Sequence, residues 1–205
     1  MLRSLLGSEM CIRDRVFGAY LKSFFSPKAL KGRSIGAASV RAGNVIGGGD
    51  WGKDRLVPDC IRALSEGRAI EIRNPRAVRP WQHVLEPLAG YLMLAESLCK
   101  APKEYSEGWN FGPKEKDAKS VIKIINAFCR FWGNDARHEN KRNPEAQHEA
   151  GYLKLDSSKA QKKRLWKPRW NSETAVRKTV EWYKAYLNKE NLDIITAAQI
   201  KSYYG

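Results

Sequence analysis

Residues 34–41, Ser-Ile-Gly-Ala-Ala-Ser-Val-Arg, form a short, small and nearly continuous apolar run between Gly32 and Gly43. Such a run suits a buried strand of a parallel sheet, because crossover helices cover both faces of parallel strands and leave no polar face. A strand of that kind cannot stand alone, since its backbone donors and acceptors need neighbouring strands. No comparable run precedes it, and helical patterns follow it. The chain therefore reads as mixed α/β, with a sheet that needs more strands than these residues provide.

The rest of the chain fits that class. Phe17, Tyr20, Leu21, Phe24 and Phe25 recur at helical spacing until Pro27 stops them. A glycine-rich loop spans 43–52, and Pro58 suits the first turn of a helix carrying Ile61 and Leu64. Residues 69–73 alternate as a strand with Ile70 and Ile72 on one side. A helix is expected over 84–98, its apolar stripe made of Leu88, Tyr91, Leu92, Ala95 and Leu98. A short strand follows at 108–112, and an amphipathic helix at 121–132 is closed by Gly133. Residues 139–151 read as a polar loop and 152–155 as strand-like. Asp156 and Ser157 can cap the next helix. Asn171 or Ser172 can cap the last long one, whose stripe is Val176, Val180, Tyr183 and Leu187. No internal repeat is evident.

Composition narrows the class further. The four cysteines, Cys11, Cys60, Cys99 and Cys129, are far apart with no C-x-x-C pair, which argues against a zinc site or a disulfide framework. No metal is expected. No apolar run approaches the ~20 residues of a membrane span, and the start lacks a secretory signal. The expectation is a cytoplasmic protein that does not engage a membrane. A net charge of +15 admits nucleic acid or a small anionic ligand as partner. The basic residues are spread along the chain, the Trp residues are not interleaved with Lys in one segment, and no nucleic-acid-binding signature appears, so no nucleic-acid partner is expected.

Gly47-Gly48-Gly49-Asp50-Trp51-Gly52 matches G-x-G-x-x-G, with Glu71 about twenty residues on. In a dinucleotide site those glycines form the strand-to-helix turn and aim a helix N-terminus at the pyrophosphate. Pro58 starts the helix about a turn too late for that, and Glu71 lies within its strand. The glycines then serve either positive φ in a loop or close approach of the backbone to a ligand, and the second is preferred.

The run Val40 to Trp51, VRAGNVIGGGDW, resembles extended short-chain dehydrogenases, in which a strand ends in Arg with Asn three residues later. Its G-G-G-D-W continuation resembles the branch of nucleotide-sugar 4,6-dehydratases that acts on CDP-glucose. So do residues 73–84, RNPRAVRPWQHV; His148-Glu149-Ala150 with residues 152–156; and Thr179 to Tyr183. The resemblance covers 16–204. It implies the C-terminal part of an extended Rossmann-type dehydratase: the last strands and helices of the nucleotide-binding sheet plus the smaller substrate-binding domain. Residues 1–15 resemble a translated adapter stretch and are set apart as an unstructured, non-native leader. Residues 16–45 would be a remnant of the NAD-binding domain, and 46–205 the nucleotide-sugar-binding region.

The resemblance also implies roles. Arg79 would grip the pyrophosphate through its planar fork of donors; its local alternative is a surface ion pair. Asn44 would donate to a phosphate or sugar oxygen, and a turn Asn beside glycines is as natural on local grounds. Asn110 would contact substrate or serve a turn. Arg55, Leu56 and Pro58, with Ile70 and Ile72, would wrap the nucleotide or be ordinary core. His148 would face phosphate or be simply exposed. Trp81 and His83 would shape the site.

The implied full-length enzyme is an NAD-dependent lyase, a homodimer or higher oligomer. Hydride leaves C4 of the glucose, water leaves across C5 and C6, and hydride returns at C6, with a Tyr-x-x-x-Lys pair activating the C4 hydroxyl. None of the eight tyrosines here is followed by Lys four residues later. No catalytic or NAD-binding residue is assigned within the chain, and the chain is expected to be inactive by itself. A non-catalytic nucleotide-sugar-binding module makes the same assignments and differs in folding alone. A basic nucleic-acid-binding domain ranks last.

Overall fold

A computed structural model describes residues 8–25, 35–133, 136–141, 151–163 and 165–205. Helix α1 spans Ser8–Phe24, so the helix read from the spacing of Phe17 to Phe24 starts earlier than expected. Residues 8–15 carry no apolar period of their own, but adding a turn to an existing helix costs far less than nucleating one.

Strand β1 is Ser39–Ala42 and, after Gly43, β2 is Asn44–Ile46. The strand expected over 34–41 thus begins later, and it is not buried: Val40 is 39% exposed. Its one partner among the described residues is a single parallel strand, which leaves its other edge open. Helix α2, Leu56–Ser65, carries Pro58 in its first turn and buries Val57, Cys60 and Ile61. Strand β3, Ile70–Ile72, turns both isoleucines into the core and Glu71 outward, as the alternation requires.

Strand β4, Val78–His83, has no counterpart in the sequence reading, because Pro80 argues against a strand interior. The structure accommodates it at the gap between β1 and β2: pairing with β2 starts at Trp81, opposite Asn44, so no bond to β2 is asked of Pro80. Helix α3 follows at Leu85–Lys100, α4 at Pro102–Tyr105 and β5 at Gly108–Phe111. A 3-10 turn, Glu115–Asp117, leads to β6, Ala118–Ser120, and α5, Val121–Trp132, ends at Gly133 with φ 75° as expected. Then come β7 His138–Asn140, α6 Ser158–Lys162, α7 Ser172–Leu187 and α8 Leu192–Tyr204. Strand β7 falls partly inside the segment read as loop, and α8 was not anticipated.

The parallel pairs are β1–β5, β2–β4 and β3–β7, and β6 joins β4 antiparallel. Two apolar clusters flank them. One unites α2, β3, α5 and α7 through Ile61, Ile70, Ile72, Ile125, Phe128, Val180 and Tyr183. The other unites α3, β5, α6 and α8 through Leu94, Trp109, Phe111, Ala160 and Tyr203, with Trp166 beside them.

Three details correct the sequence reading. Helix α3 buries Glu86, Pro87, Ala89, Gly90 and Leu94, whereas Leu88 and Leu92 are exposed. Its inner face is small because the Phe111 ring lies where a Gly90 side chain would stand, 2.3 Å from the ideal Cβ. Leu187 is exposed, since α7 ends where its stripe leaves the core. Asp156 caps α6 by accepting from Ser158 N at 2.8 Å, whereas the Ser157 hydroxyl donates to the Gly112 carbonyl. Asn171 caps α7 as expected, accepting from Thr174 N.

Candidate functional site

A cleft of about 540 Å³ opens between the 53–54 loop, α2, β3 and β4. Asn44 reaches it from the first position of β2, and Arg79 from β4, opposite Lys119 of β6. Arg79 also donates to the Val78 carbonyl at 3.0 Å, which orients its guanidinium. Leu56 contributes the first residue of α2, and Trp81 closes the inner wall, its indole donating to the Lys119 carbonyl at 3.0 Å.

The lining includes the cations Lys53, Arg62, Arg68, Arg73 and Arg79 against the acids Asp54, Asp59 and Glu71. That excess of two positive charges favours an anionic occupant. The acids are already engaged. Asp59 pairs with Arg62 along α2, Asp54 lies 3.4 Å from Arg73, and Glu71 takes Lys141 at 2.5 Å. The Lys141 hydrogen bond holds the Glu71 carboxyl below its usual range, so it stays charged at neutral pH. Asp54 adopts φ 59°, a left-handed conformation that Asp tolerates better than most residues.

The structure thus brings Asn44, Leu56, Ile70, Ile72 and Arg79 to one cleft. Ile70 and Ile72 form only its floor, because their side chains point into the core. Pro58 is buried within α2 and does not line the cleft. Arg55 turns away to pair with Asp50 at 3.1 Å. Asn110 is held elsewhere: it accepts from Arg41 Nη1 and donates to the Asp156 carbonyl, both at 2.9 Å. His148 lies outside the described residues. Lys53, Asp54, Arg62, Arg68 and Arg73 are lining residues that sequence reasoning did not single out. Locally they look like the solvated charges of any loop and helix, and only their convergence in space sets them apart.

The glycine loop packs against the protein's own side chains. A Cβ on Gly48 would stand 2.0 Å from the Trp182 ring, and one on Gly47 2.8 Å from Val84 Cγ1. At Gly47 and Gly48 the close approach is to the protein's own side chains, whereas Gly49, at φ 80°, meets nothing nearer than 3.8 Å. The Asp50 amide is already spent on the Tyr183 hydroxyl at 3.0 Å.

Behind the cleft, His83 is buried, with Nδ1 accepting from Leu85 N at 3.3 Å and Nε2 lacking a partner among the described residues. Burial, helped by the Lys178 charge, pushes its pKa down to about 4, so the ring is neutral. Among the described residues no cluster of His, Cys, Asp and Glu could hold a metal, and no helix is long and apolar enough to cross a membrane.

No family model matches the sequence. Across 192 residues, 93% of this chain, it is 46% identical to a CDP-glucose 4,6-dehydratase of Salmonella typhimurium, of whose length it spans 53%. Among solved structures it superposes on dTDP-glucose 4,6-dehydratase of Bacillus anthracis in complex with NAD (TM-score 0.63, 18% identity, 83% of this chain and 49% of that one). It also superposes on a UDP-N-acetylglucosamine 4-epimerase of Methanobrevibacter ruminantium in complex with UDP-N-acetylmuramic acid (TM-score 0.68, 16% identity, 87% and 53%). DesIV, a dTDP-glucose 4,6-dehydratase of Streptomyces venezuelae with NAD bound, gives a TM-score of 0.64 at 17% identity over 87% and 50%. The fold is that of the C-terminal part of extended Rossmann-type dehydratases.

Proposed function

From its homology with the nucleotide-sugar 4,6-dehydratases and epimerases, we propose that this chain is the sugar-nucleotide-binding part of a CDP-glucose 4,6-dehydratase. The complete enzyme converts CDP-glucose to CDP-4-keto-6-deoxyglucose with NAD as the hydride carrier. The chain by itself binds the nucleotide sugar without turning it over, consistent with the lack of any Tyr-x-x-x-Lys in its sequence. No catalytic step is assigned to its residues, and its glycine loop is not assigned to NAD.

The observation that carries the reading is the convergence of Asn44 and Arg79 in a cleft with surplus positive charge. Arg79 presents a planar fork suited to two phosphate oxygens, and Asn44 an amide donor. The GGGDW and EWY motifs, whose resemblance supports the CDP-glucose branch, pack on each other. The Trp51 ring lies 5.3 Å from Tyr183 and 4.8 Å from Tyr186, and Trp182 fills the space beside Gly48.

Thermal unfolding in the presence of CDP-glucose, dTDP-glucose, NAD or short duplex DNA tests the proposal. A ligand at a hundred times its Kd adds ~2.7 kcal/mol to the native state. That raises the midpoint by several degrees, at ~2–4 °C per kcal/mol. A shift with CDP-glucose, and none with NAD, is expected. A cooperative transition that no sugar nucleotide moves sinks the binding assignment, and a shift with DNA alone replaces it with a polyanion-binding one.

A further inference from the structure

We propose that Tyr183 is a positioning residue for the cleft: from outside the cleft, its hydroxyl fixes the 47–55 loop and so presents Lys53 to a bound nucleotide. This rests on the cleft being the nucleotide site. Tyr183 lies in the middle of α7, is fully buried, and is not among the residues lining the cleft. Its hydroxyl holds both backbone groups of one distant residue, accepting from Asp50 N at 3.0 Å and donating to Asp50 O at 2.6 Å.

Loop geometry then follows from α7. Trp182 takes the space a side chain on Gly48 would need, and Trp51 stacks edge-on against Tyr183. The Asp50 carboxylate extends the grip down the loop by accepting from Gly52 N at 3.0 Å and from Arg55 at 3.1 Å. Arg62 of α2 closes the far side, donating to the Trp51 and Gly52 carbonyls at 3.2 Å each. Lys53 and Asp54 are the residues left between these anchors, and both line the cleft. A loop held this way presents its charges without an ordering cost on binding, which is how preorganisation raises affinity. Burial pushes the Tyr183 pKa up to about 12, so the hydroxyl keeps its proton and the clamp holds across the physiological range.

The test is calorimetric titration of CDP into the purified wild-type chain, Tyr183→Phe and Asp50→Asn, with amide hydrogen exchange on each. Tyr183→Phe keeps the rings and loses both bonds to Asp50. It is expected to weaken CDP about tenfold and to speed exchange at 50–54 while the rest of α7 stays protected. Asp50→Asn keeps both Tyr183 bonds and loosens only the Arg55 anchor, so it is the control and is expected to weaken CDP less than Tyr183→Phe. If Tyr183→Phe does not fold, the Asp50 amide of the wild-type chain carries the test: it should exchange as slowly as the buried α7 amides, and exchange at the rate of an open loop overturns the clamp. Unchanged affinity in folded Tyr183→Phe, or faster exchange spread over the whole of α7, overturns the positioning role and leaves the nucleotide site standing. A wild-type chain that does not bind CDP overturns both.

Discussion

The two packed regions on either side of β4 are built on different chemistry. The region of α2, β3, α5 and α7 is largely aliphatic, each helix contributing one stripe to a shared interior. The region of α3, β5, α6 and α8 is aromatic and closes around a charge. Glu86, fully buried in the first turn of α3, accepts from Arg169 N at 3.0 Å, Trp170 N at 2.6 Å and the Tyr203 hydroxyl at 3.0 Å. One carboxylate thereby joins α3, the 169–170 segment and the end of α8. Area burial, worth ~1.5–3 kcal/mol per large apolar side chain, tolerates small shifts. A charge among fixed donors does not, because a donor that loses its acceptor cannot turn to water. The aliphatic region can therefore carry the charged rim of the cleft, while the aromatic region works as a fixed support.

The largest expected effect breaks that support. Glu86→Ala leaves two backbone N–H groups and a tyrosine hydroxyl without an acceptor. At about 1–3 kcal/mol for each unsatisfied buried group, only partly relieved by relaxation, the loss should be about 4 kcal/mol. Glu86→Gln keeps one carbonyl acceptor and should lose about half as much. Urea midpoints at constant slope measure both. A loss below about 1 kcal/mol for the alanine variant would show that the three donors rearrange freely, and the contrast between the regions would fail.

A pH series sharpens the contrast from the strand between them. The folded-state pKa of His83, about 4, lies below its ordinary value near 6.5. The unfolded chain therefore binds the extra proton first as pH falls, so stability is lost between about pH 6.5 and 4, by about 3 kcal/mol in full. Glu86 has the opposite sign: burial raises its pKa, so its contribution weakens as pH rises from the ordinary glutamate value. His83→Asn, which keeps an acceptor for Leu85 N, separates the two. Wild type should lose about 3 kcal/mol more than the variant across the window, and equal losses would mean that the buried ring is not held neutral.

The same division governs what could be read from the sequence. In the aliphatic region, Pro58 in its first turn, the Ile70–Ile72 alternation, the 121–132 helix with Gly133, and the Asn171 cap all stand where the pattern puts them. There, Leu187 at the end of α7 apart, apolar period and burial coincide. In the aromatic region they part. The inner face of α3 is Glu86, Ala89, Gly90 and Leu94, chosen by a buried carboxylate and the Phe111 ring, neither of which has a period. Helix α8 buries Gln199, which donates to the Lys178 carbonyl, and leaves Ile194 outside. The resemblance over long motifs singled out Asn44 and Arg79, and the fold brings both to one cleft. Lys53, Asp54 and Arg73 were not singled out, because a charged residue says nothing of which distant charge it will meet.

The smallest effect tests the face of α3 directly. The stripe read from spacing puts Leu92 inward and makes Leu92→Lys a buried charge, costing several kcal/mol. In the fold Leu92 is 68% exposed while Leu94, two residues on, is 2% exposed. Leu92→Lys should then change stability by no more than about 0.5 kcal/mol, as surface substitutions do. A long side chain at that position extends into water with its stem along the helix. A large loss would mean that the apolar face of Leu88 and Leu92 is covered in solution. The aromatic region would then have a second packed side, and its dependence on Glu86 would be correspondingly less.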